Sequence, residues 1–371
     1  MGLNKIRLGD YIIRSNQNNR DLEYGVELIS GVTSQGVFAI PKGDPIDVNL
    51  KPYKIVNNGA FVYNPTRLDL GSIAYRTDGL CIVSHLYMVF YLTEEGKRII
   101  DPTWLYIYFR RNEFLREVTF RNFGSQRPEF NFEDMSDIII PLPDLPTQQK
   151  YVDIYNAMVA NQQAYERGLE DLKVALDAQI DKIKHSAPRM RIGNILDEVD
   201  NRNSEGVVKN VQGINISKQF MPSVADINGV DLRKYKVVQK GQLAFSGMQT
   251  GRDECIRIAL HDTEQPIIIS PAYTVFEVKE ETVIPEYVMI WFSRNESDRR
   301  GWFMSDSSIR SNLDLERFYE IQIPIPDKKL QEAVVTFYEV YITRKKINEQ
   351  LKAQSKNICP ILIRGSLEEG K

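Results

Sequence analysis

The chain repeats itself once. Arg7-Leu8-Gly9-Asp10-Tyr11-Ile12 returns as Arg191-Ile192-Gly193-Asn194-Ile195-Leu196. Leu50-Lys51-Pro52-Tyr53-Lys54-Ile55-Val56, with Gly59 beyond, returns as Leu232-Arg233-Lys234-Tyr235-Lys236-Val237-Val238 with Gly241. Asp101-Pro102, leading to Phe109 and Arg111-Asn112-Glu113, returns as Ile284-Pro285, leading to Phe292 and Arg294-Asn295-Glu296. Ile138-Ile139-Ile140-Pro141-Leu142-Pro143 returns as Ile321-Gln322-Ile323-Pro324-Ile325-Pro326. The offsets are 184, 182, 183 and 183 (324 less 141 for the last). Chance recurrence of apolar residues would not hold proline, glycine and an Arg-Asn-Glu triplet in register, so the fold has to be built twice.

Both copies follow one plan. Short β-rich runs come first (Gly36–Ile40, Gly59–Tyr63, His85–Tyr91), bounded by Gly, Pro, Asn and Asp. A helix is expected from Pro102 to about Leu115, with proline where a first helical turn tolerates it. A strand at Ile138–Ile140 ends on Pro-x-Pro. Each copy then gives way to a long helix. The first runs from Thr147 to about His185, with apolar or aromatic residues at Tyr151, Tyr155, Met158, Tyr165, Leu169, Leu172, Leu176 and Ile183 and with Gln162 and Gln179 in the gaps. Steps of four and three make this a coiled-coil seam. The second, from about Leu330 to Ile358, shows Phe337, Tyr341, Leu351 and Ile358, interrupted by Arg344 and Asn348. Neither helix can bury its stripe alone. The expected architecture is α+β: two similar mixed α/β domains joined by two long antiparallel helices, with a pseudo-two-fold internal repeat. The expected boundaries are 1–144 and 188–327 for the domains, 145–187 for the first spacer helix, and 328–371 for the second with a C-terminal tail.

Composition narrows the function. A net charge of −3 argues against a protein that coats nucleic acid unaided, because phosphate neutralisation supplies most of such affinity. Any DNA contact must use local basic residues or basic partners. No apolar run approaches a membrane span. Three scattered cysteines (Cys81, Cys255, Cys359) suggest neither a disulfide framework nor a metal site, which fits a reducing cytoplasm.

The order domain, helix, domain, helix, with Ile140-Pro141-Leu142-Pro143-Asp144-Leu145-Pro146-Thr147-Gln148-Gln149 and its echo Ile323-Pro324-Ile325-Pro326-Asp327 through Gln331, resembles the specificity subunits of type I restriction–modification systems. Asn64-Pro65-Thr66-Arg67-Leu68, with Gly71-Ser72-Ile73 after it, looks like a segment that family uses after its Gly-x-apolar strand; its counterpart is Ser246–Arg252. The resemblance covers almost the whole chain. It implies a chain without chemistry of its own, in which each domain reads one half of a split sequence in double-stranded DNA. The helical pair would dock two methyltransferase subunits, which use S-adenosylmethionine on adenine, and motor-nuclease subunits can join them.

Base reading needs paired donors and acceptors on loops or helices that enter a groove. Two loops per copy offer them. The first holds Asn64, Thr66 and Arg67, against Ser246, Gln249, Thr250 and Arg252; the copies differ most there, as readers of different half-sites should. The second holds Ser125, Gln126 and Arg127, against Ser307, Ser308 and Arg310, the shared arginine lying three residues before Phe130 or Leu313. Ordinary polar turns would look the same, and phosphate contact suits Arg127 and Arg310 better than base reading. Local charge is basic: five Arg against three Glu from Leu105 to Glu129, four Arg against three acids from Arg294 to Arg310.

Rival readings are thinner. Asp101-Pro102-Thr103-Trp104 nears a methyltransferase motif but lacks the second proline, and Glu277-Val278-Lys279 has no upstream nuclease partner. The three histidines stand apart, and no phosphate-cradling loop is present. A two-domain protein-binding adaptor on a coiled coil stays open, and the acidic balance suits it.

Overall fold

The computed structural model describes residues 3–41, 48–122, 129–224, 229–279, 281–306 and 311–371. Two compact units result, 1–166 with 347–371, and 167–346.

The first unit contains β1 (Asn4–Arg7), β2 (Ile12–Arg14), β3 (Gly31–Val32), β4 (Phe38–Ala39), β5 (Lys54–Val56), β6 (Phe61–Tyr63), β7 (Ile73–Tyr75), β8 (Cys81–Val83) and β9 (Met88–Leu92). A short α1 (Glu94–Lys97), then α2 (Pro102–Phe109), α3 (Asn112–Arg121), α4 (Phe132–Ser136) and β10 (Ile139–Leu142) follow, before α5 (Leu145–Ser186). The main sheet runs β2-β9-β6-β7, all antiparallel. Strand alternation sorts its side chains. Phe61, Tyr63 and Phe90 meet Trp104, Leu105 and Phe109 of α2, while Val62, Ala74 and Val89 meet Val56 and Val83 on the other face. The sheet is therefore buried on both sides, and its strands read as apolar runs rather than as alternation.

The second unit repeats the plan with β11 (Arg189–Arg191), α6 (Ile192–Ile195), β12 (Leu196–Val199), β13 (Val211–Ile214), β14 (Phe220–Pro222), β15 (Lys236–Val238), β16 (Leu243–Ser246), α7 (Thr250–Asp253), β17 (Arg257–Leu260), β18 (Ile267–Ile269), β19 (Thr274–Val278), α8 (Pro285–Phe292), α9 (Asn295–Met304), α10 (Leu315–Tyr319) and β20 (Gln322–Pro324). Its main sheet, β12-β19-β16-β17, matches the first strand for strand, and β11 pairs with β20 as β1 pairs with β10. Leu243 and Phe245 face the helices while Ala244 and Val275 face away.

One expectation needs correcting. The helix expected from Pro102 to about Leu115 is two helices, and the Arg-Asn-Glu triplet is the break. Asp101 starts α2 by accepting the Thr103 and Trp104 N–H groups at 2.8 and 2.9 Å. At Arg111 the backbone leaves helical geometry (ψ 146°) and its guanidinium lies 3.7 Å from the Tyr108 ring centroid. Arg294 repeats this over Trp291 at 4.7 Å. A cation on an aromatic face stabilises the kink in both units.

The glutamine after Pro-x-Pro has a physical task. Gln148 is fully buried; its Nε2 donates to Ile99 O and Pro143 O, and its Oε1 accepts from Asp101 N, all at 2.8 Å. Gln331, equally buried, donates to Thr282 O and Pro326 O at 2.9 Å and accepts from Ile284 N at 3.0 Å. One side chain thus locks the start of each long helix to the residues that open α2 or α8.

The second long helix is α11 (Lys328–Asn357), and the segment after it forms α12 (Cys359–Glu369), begun by Pro360. Within the first unit α12 lies under α2: Trp104 Nε1 donates to Ser366 Oγ at 3.0 Å, and Lys150 binds Glu369 at 2.8 Å. Cys359, Ile363 and Ser366 stand 183 residues after Leu176, Ile180 and Ile183, which fill the same role beneath α8 in the second unit. The interruption of the seam at Asn348 meets the gap at Gln162, whose Nε2 donates to Asn348 Oδ1 at 3.0 Å; Glu166 closes on Lys352 beside them. No described helix is long and apolar enough to cross a membrane. Cys81, Cys255 and Cys359 are buried free thiols, and burial pushes that of Cys359 up to about 11.

Candidate nucleic-acid interface

In the first unit β6 leaves the sheet at Tyr63 and the chain turns through residues 64–72 before β7. Asn64 Oδ1 accepts from the Thr66 N–H at 3.1 Å and the Thr66 hydroxyl at 2.9 Å, an Asx-type turn. Arg67 O then receives the Leu70 and Ser72 N–H groups, and Leu68 is buried. Thr66 and Arg67 are left exposed, and Arg67 forms no ion pair with a described residue.

The corresponding elbow of the second unit is longer, residues 246–257, and carries the short α7. Ser246 and Thr250 are buried: Ser246 Oγ accepts from Met248 N at 3.4 Å, and the Thr250 hydroxyl donates to Gly247 O at 3.1 Å. Both shape the turn and offer nothing to a groove in this conformation. Arg252 is exposed and held in place, its Nη2 donating to Gln249 Oε1 at 2.7 Å and its Nε to Asp253 Oδ1 at 2.8 Å. Asp253 also binds Arg257, and these bonds, Arg252 first, hold its carboxyl below the usual range. Gln249 and Glu254 bracket α7 in the left-handed region (φ 60° and 49°), strain of the kind that gathers at functional loops.

Ser125, Gln126, Arg127, Ser307, Ser308 and Arg310 lie outside the described residues. Their flanks are informative. Phe130 N donates to Pro65 O at 3.0 Å, and Leu313 N donates to Gly247 O at 2.8 Å, one bond at repeat-equivalent positions. In the second unit Gly251 N donates to Ser311 O at 2.8 Å and Gln249 N to Asn312 Oδ1 at 3.0 Å. Gly247 allows this approach, since a Cβ there would lie 1.8 Å from Leu313 O. In each unit the far flank of the second candidate loop is therefore bonded to the first.

A third element escaped the sequence reading. The tip of the β3–β4 hairpin sits against the elbow: Ser72 Oγ donates to Val32 O at 2.8 Å, and the buried Arg110 donates to both Gly71 O and Ser34 O. In the second unit the tip between β13 and β14 does the same, with Cys255 Sγ on Ile216 O at 3.3 Å and Lys218 paired to Asp298 beneath it. Gly31-Val32-Thr33 through Phe38 and Gly213-Ile214-Asn215 through Phe220, 182 apart, were the available signal. Exposed aromatics were missed too: Phe120 (81%) and Phe303 (83%) hold equivalent places near the ends of α3 and α9, with Trp302 half-exposed beside the latter.

The comparisons with known proteins agree with this geometry. The family model described as the type I restriction modification DNA specificity domain matches residues 11–172. No curated protein sequence matches the chain. The S subunit of a type I restriction-modification system from M. genitalium is 13% identical and superposes with a TM-score of 0.59, over 99% of this chain and 96% of that one. A chain from a study of complex assembly and conformational transition of the type I R-M system is 13% identical with a TM-score of 0.51, over 100% and 97%. The HsdS subunit from Thermoanaerobacter tengcongensis is 14% identical with a TM-score of 0.44, over 99% and 96%. The two higher scores show a shared fold across the whole chain. The matched domain recurs, strand for strand, in the second unit. Residues 11–172 are thus similar to the type I restriction modification DNA specificity domain, and the second unit repeats the strand order of that domain's main sheet.

Proposed function

We propose that each unit reads one half of a split double-stranded DNA sequence, and that the long helices dock two methyltransferase subunits, with motor-nuclease subunits as a further addition. S-adenosylmethionine and the adenine chemistry then belong to the partners, and this chain is catalytically silent in the cytoplasm. One observation carries the reading: the same frame is built twice, while its accessible elbow side chains differ, the exposed Thr66 and Arg67 against the half-buried Gln249 and the exposed Arg252. Arginine suits guanine and glutamine suits adenine, so different half-sites follow from different elbows. Arg127 and Arg310 are assigned to phosphate, with Ser125, Gln126, Ser307 and Ser308 as further DNA contacts beside them. The charge of −3 leaves much of the phosphate contact to the partners.

The test is to purify the chain with its methyltransferase and map the methylated adenines. A split site is expected. Arg67→Ala should relax the first half-site alone and Arg252→Ala the second, each by about 1–3 kcal/mol. Uniform weakening over all sequences would reassign both arginines to phosphate. Retention of no duplex over scrambled DNA would favour the protein-binding adaptor.

A further inference from the structure

The hairpin tips point to a reader that neither elbow supplies. Thr33 and Asn215 stand at the same place in the repeat and turn the chain alike: Thr33 N donates to Val37 O at 3.0 Å, and Asn215 N to Gln219 O at 3.1 Å. Gly36 and Lys218 close the turns in the same left-handed conformation, φ 77° and 60°. Val32 pairs with Phe38 as Ile214 pairs with Phe220. Between these matched positions the residues change character: Ser34-Gln35 in one unit, Ile216-Ser217 in the other, all four exposed.

We propose that these tips are a third base-reading element of each domain, with Gln35 the principal reader in the first. This rests on the DNA-reading function proposed above. A two-stranded ribbon fits the major groove, where a glutamine amide matches adenine, a serine hydroxyl suits several edges, and an isoleucine can meet a thymine methyl. The Gln35 backbone N–H donates to Thr33 Oγ1 at 3.3 Å, while its side-chain amide has no hydrogen-bond partner among the described residues and is available. The tip is held firmly enough to read. Arg110, 4% exposed, bonds Ser34 O and Gly71 O together, which fixes the tip to the elbow. Lys218 reaches from the second tip to Asp298, whose Oδ1 also accepts Ile256 N at 2.9 Å next to the elbow. Turn geometry and strand pairing are kept between units while the exposed tip residues differ, the division expected of a reader carried on a rigid support.

The experiment uses the full chain assembled with its methyltransferase subunits and maps methylated sites for Gln35→Ala and for the exchange Ser34→Ile with Gln35→Ser. Both changes are on exposed side chains, so the unfolding midpoint should stay put. Expected is a roughly tenfold to hundredfold loss or change of preference at one position of the first half-site, with the second half-site unaltered. Arg67→Ala serves as the control. If it alters the first half-site while both tip variants keep every preference, the tip is not a reader and the proposal falls alone. If the unmodified assembly shows no split-sequence preference, the proposal falls together with the reading beneath it.

Discussion

The two units solve one packing problem with opposite charges. Beneath the first hairpin a cation at the end of α2, Arg110, grips the carbonyls of Ser34 and Gly71. Beneath the second, the cation is on the hairpin itself, Lys218, and it meets a carboxylate on α9, Asp298. The residues equivalent to Arg110 and Asp298 are Ser293 and Leu115, so neither arrangement could be borrowed by the other copy. The main sheet's order and register and the helix junctions are the same in both. What the pair teaches is that the contact between hairpin and elbow is kept while the means of keeping it varies.

That difference predicts unequal costs. Lys218→Met leaves a largely buried Asp298 without its cation and should destabilise the second unit by about 3–5 kcal/mol, whereas adding Asp298→Leu should recover much of it. Arg110→Met strands two carbonyls but no charge, so a smaller loss of about 2 kcal/mol is expected, with no partner change able to restore it. Denaturant midpoints of the four proteins check this. Equal losses, or no recovery in the double variant, would mean the two clamps are not opposites after all.

The helix junctions should behave alike instead. Gln148→Leu and Gln331→Leu each remove three hydrogen bonds and leave two carbonyls and one N–H group unpaired, costing about 2–3 kcal/mol in either unit. A large loss at one junction and none at the other, read from the same midpoints, would break the equivalence.

A lesser effect is expected at Gly36, where φ is 77° and a Cβ would come within 2.6 Å of the Arg110 guanidinium. Gly36→Ala should cost about 1–2 kcal/mol and loosen the first tip, seen as faster amide exchange over residues 31–39. Lys218 already tolerates the same conformation, so the second tip is the internal control.

These contrasts show what could be read from sequence. The duplication and the long helices were legible because proline, glycine and apolar spacing constrain the backbone directly, whereas the glutamine after Pro-x-Pro was visible only through the family resemblance. The break at Arg111 was not, since it depends on a guanidinium finding the Tyr108 face, which no periodicity encodes. Of the elbow residues, the exposed Thr66 could not be told from the buried Ser246 and Thr250, because hydroxyls that finish a turn look like hydroxyls that meet a base. The hairpin tips went unread because strands of two to four residues carry almost no pattern, although their 182-residue echo was present.

The smallest expected effect separates the two elbows by pH. Asp253 is bonded by Arg252 and Arg257, and its carboxyl sits below the ordinary value of 3.8. A carboxyl whose folded value is depressed adds stability that is complete above its unfolded value and lost as pH falls through the folded one. The second elbow should therefore hold its protection down to about pH 4 and loosen below it. No such cluster holds the first elbow: Asp69 Oδ1 accepts the neighbouring Leu70 N–H at 3.0 Å and makes no ion pair with a described residue. Amide exchange over residues 247–257 and 64–72, corrected for intrinsic rates between about pH 5 and pH 3, makes the comparison. Loss of protection in the second elbow alone is the expected result. Asp253→Asn should show that loss already at neutral pH and no further change on acidification, because the amide cannot ionise. If both elbows loosen together in acid, or if the asparagine variant still responds to pH, the Arg252–Asp253–Arg257 cluster does not hold the second elbow.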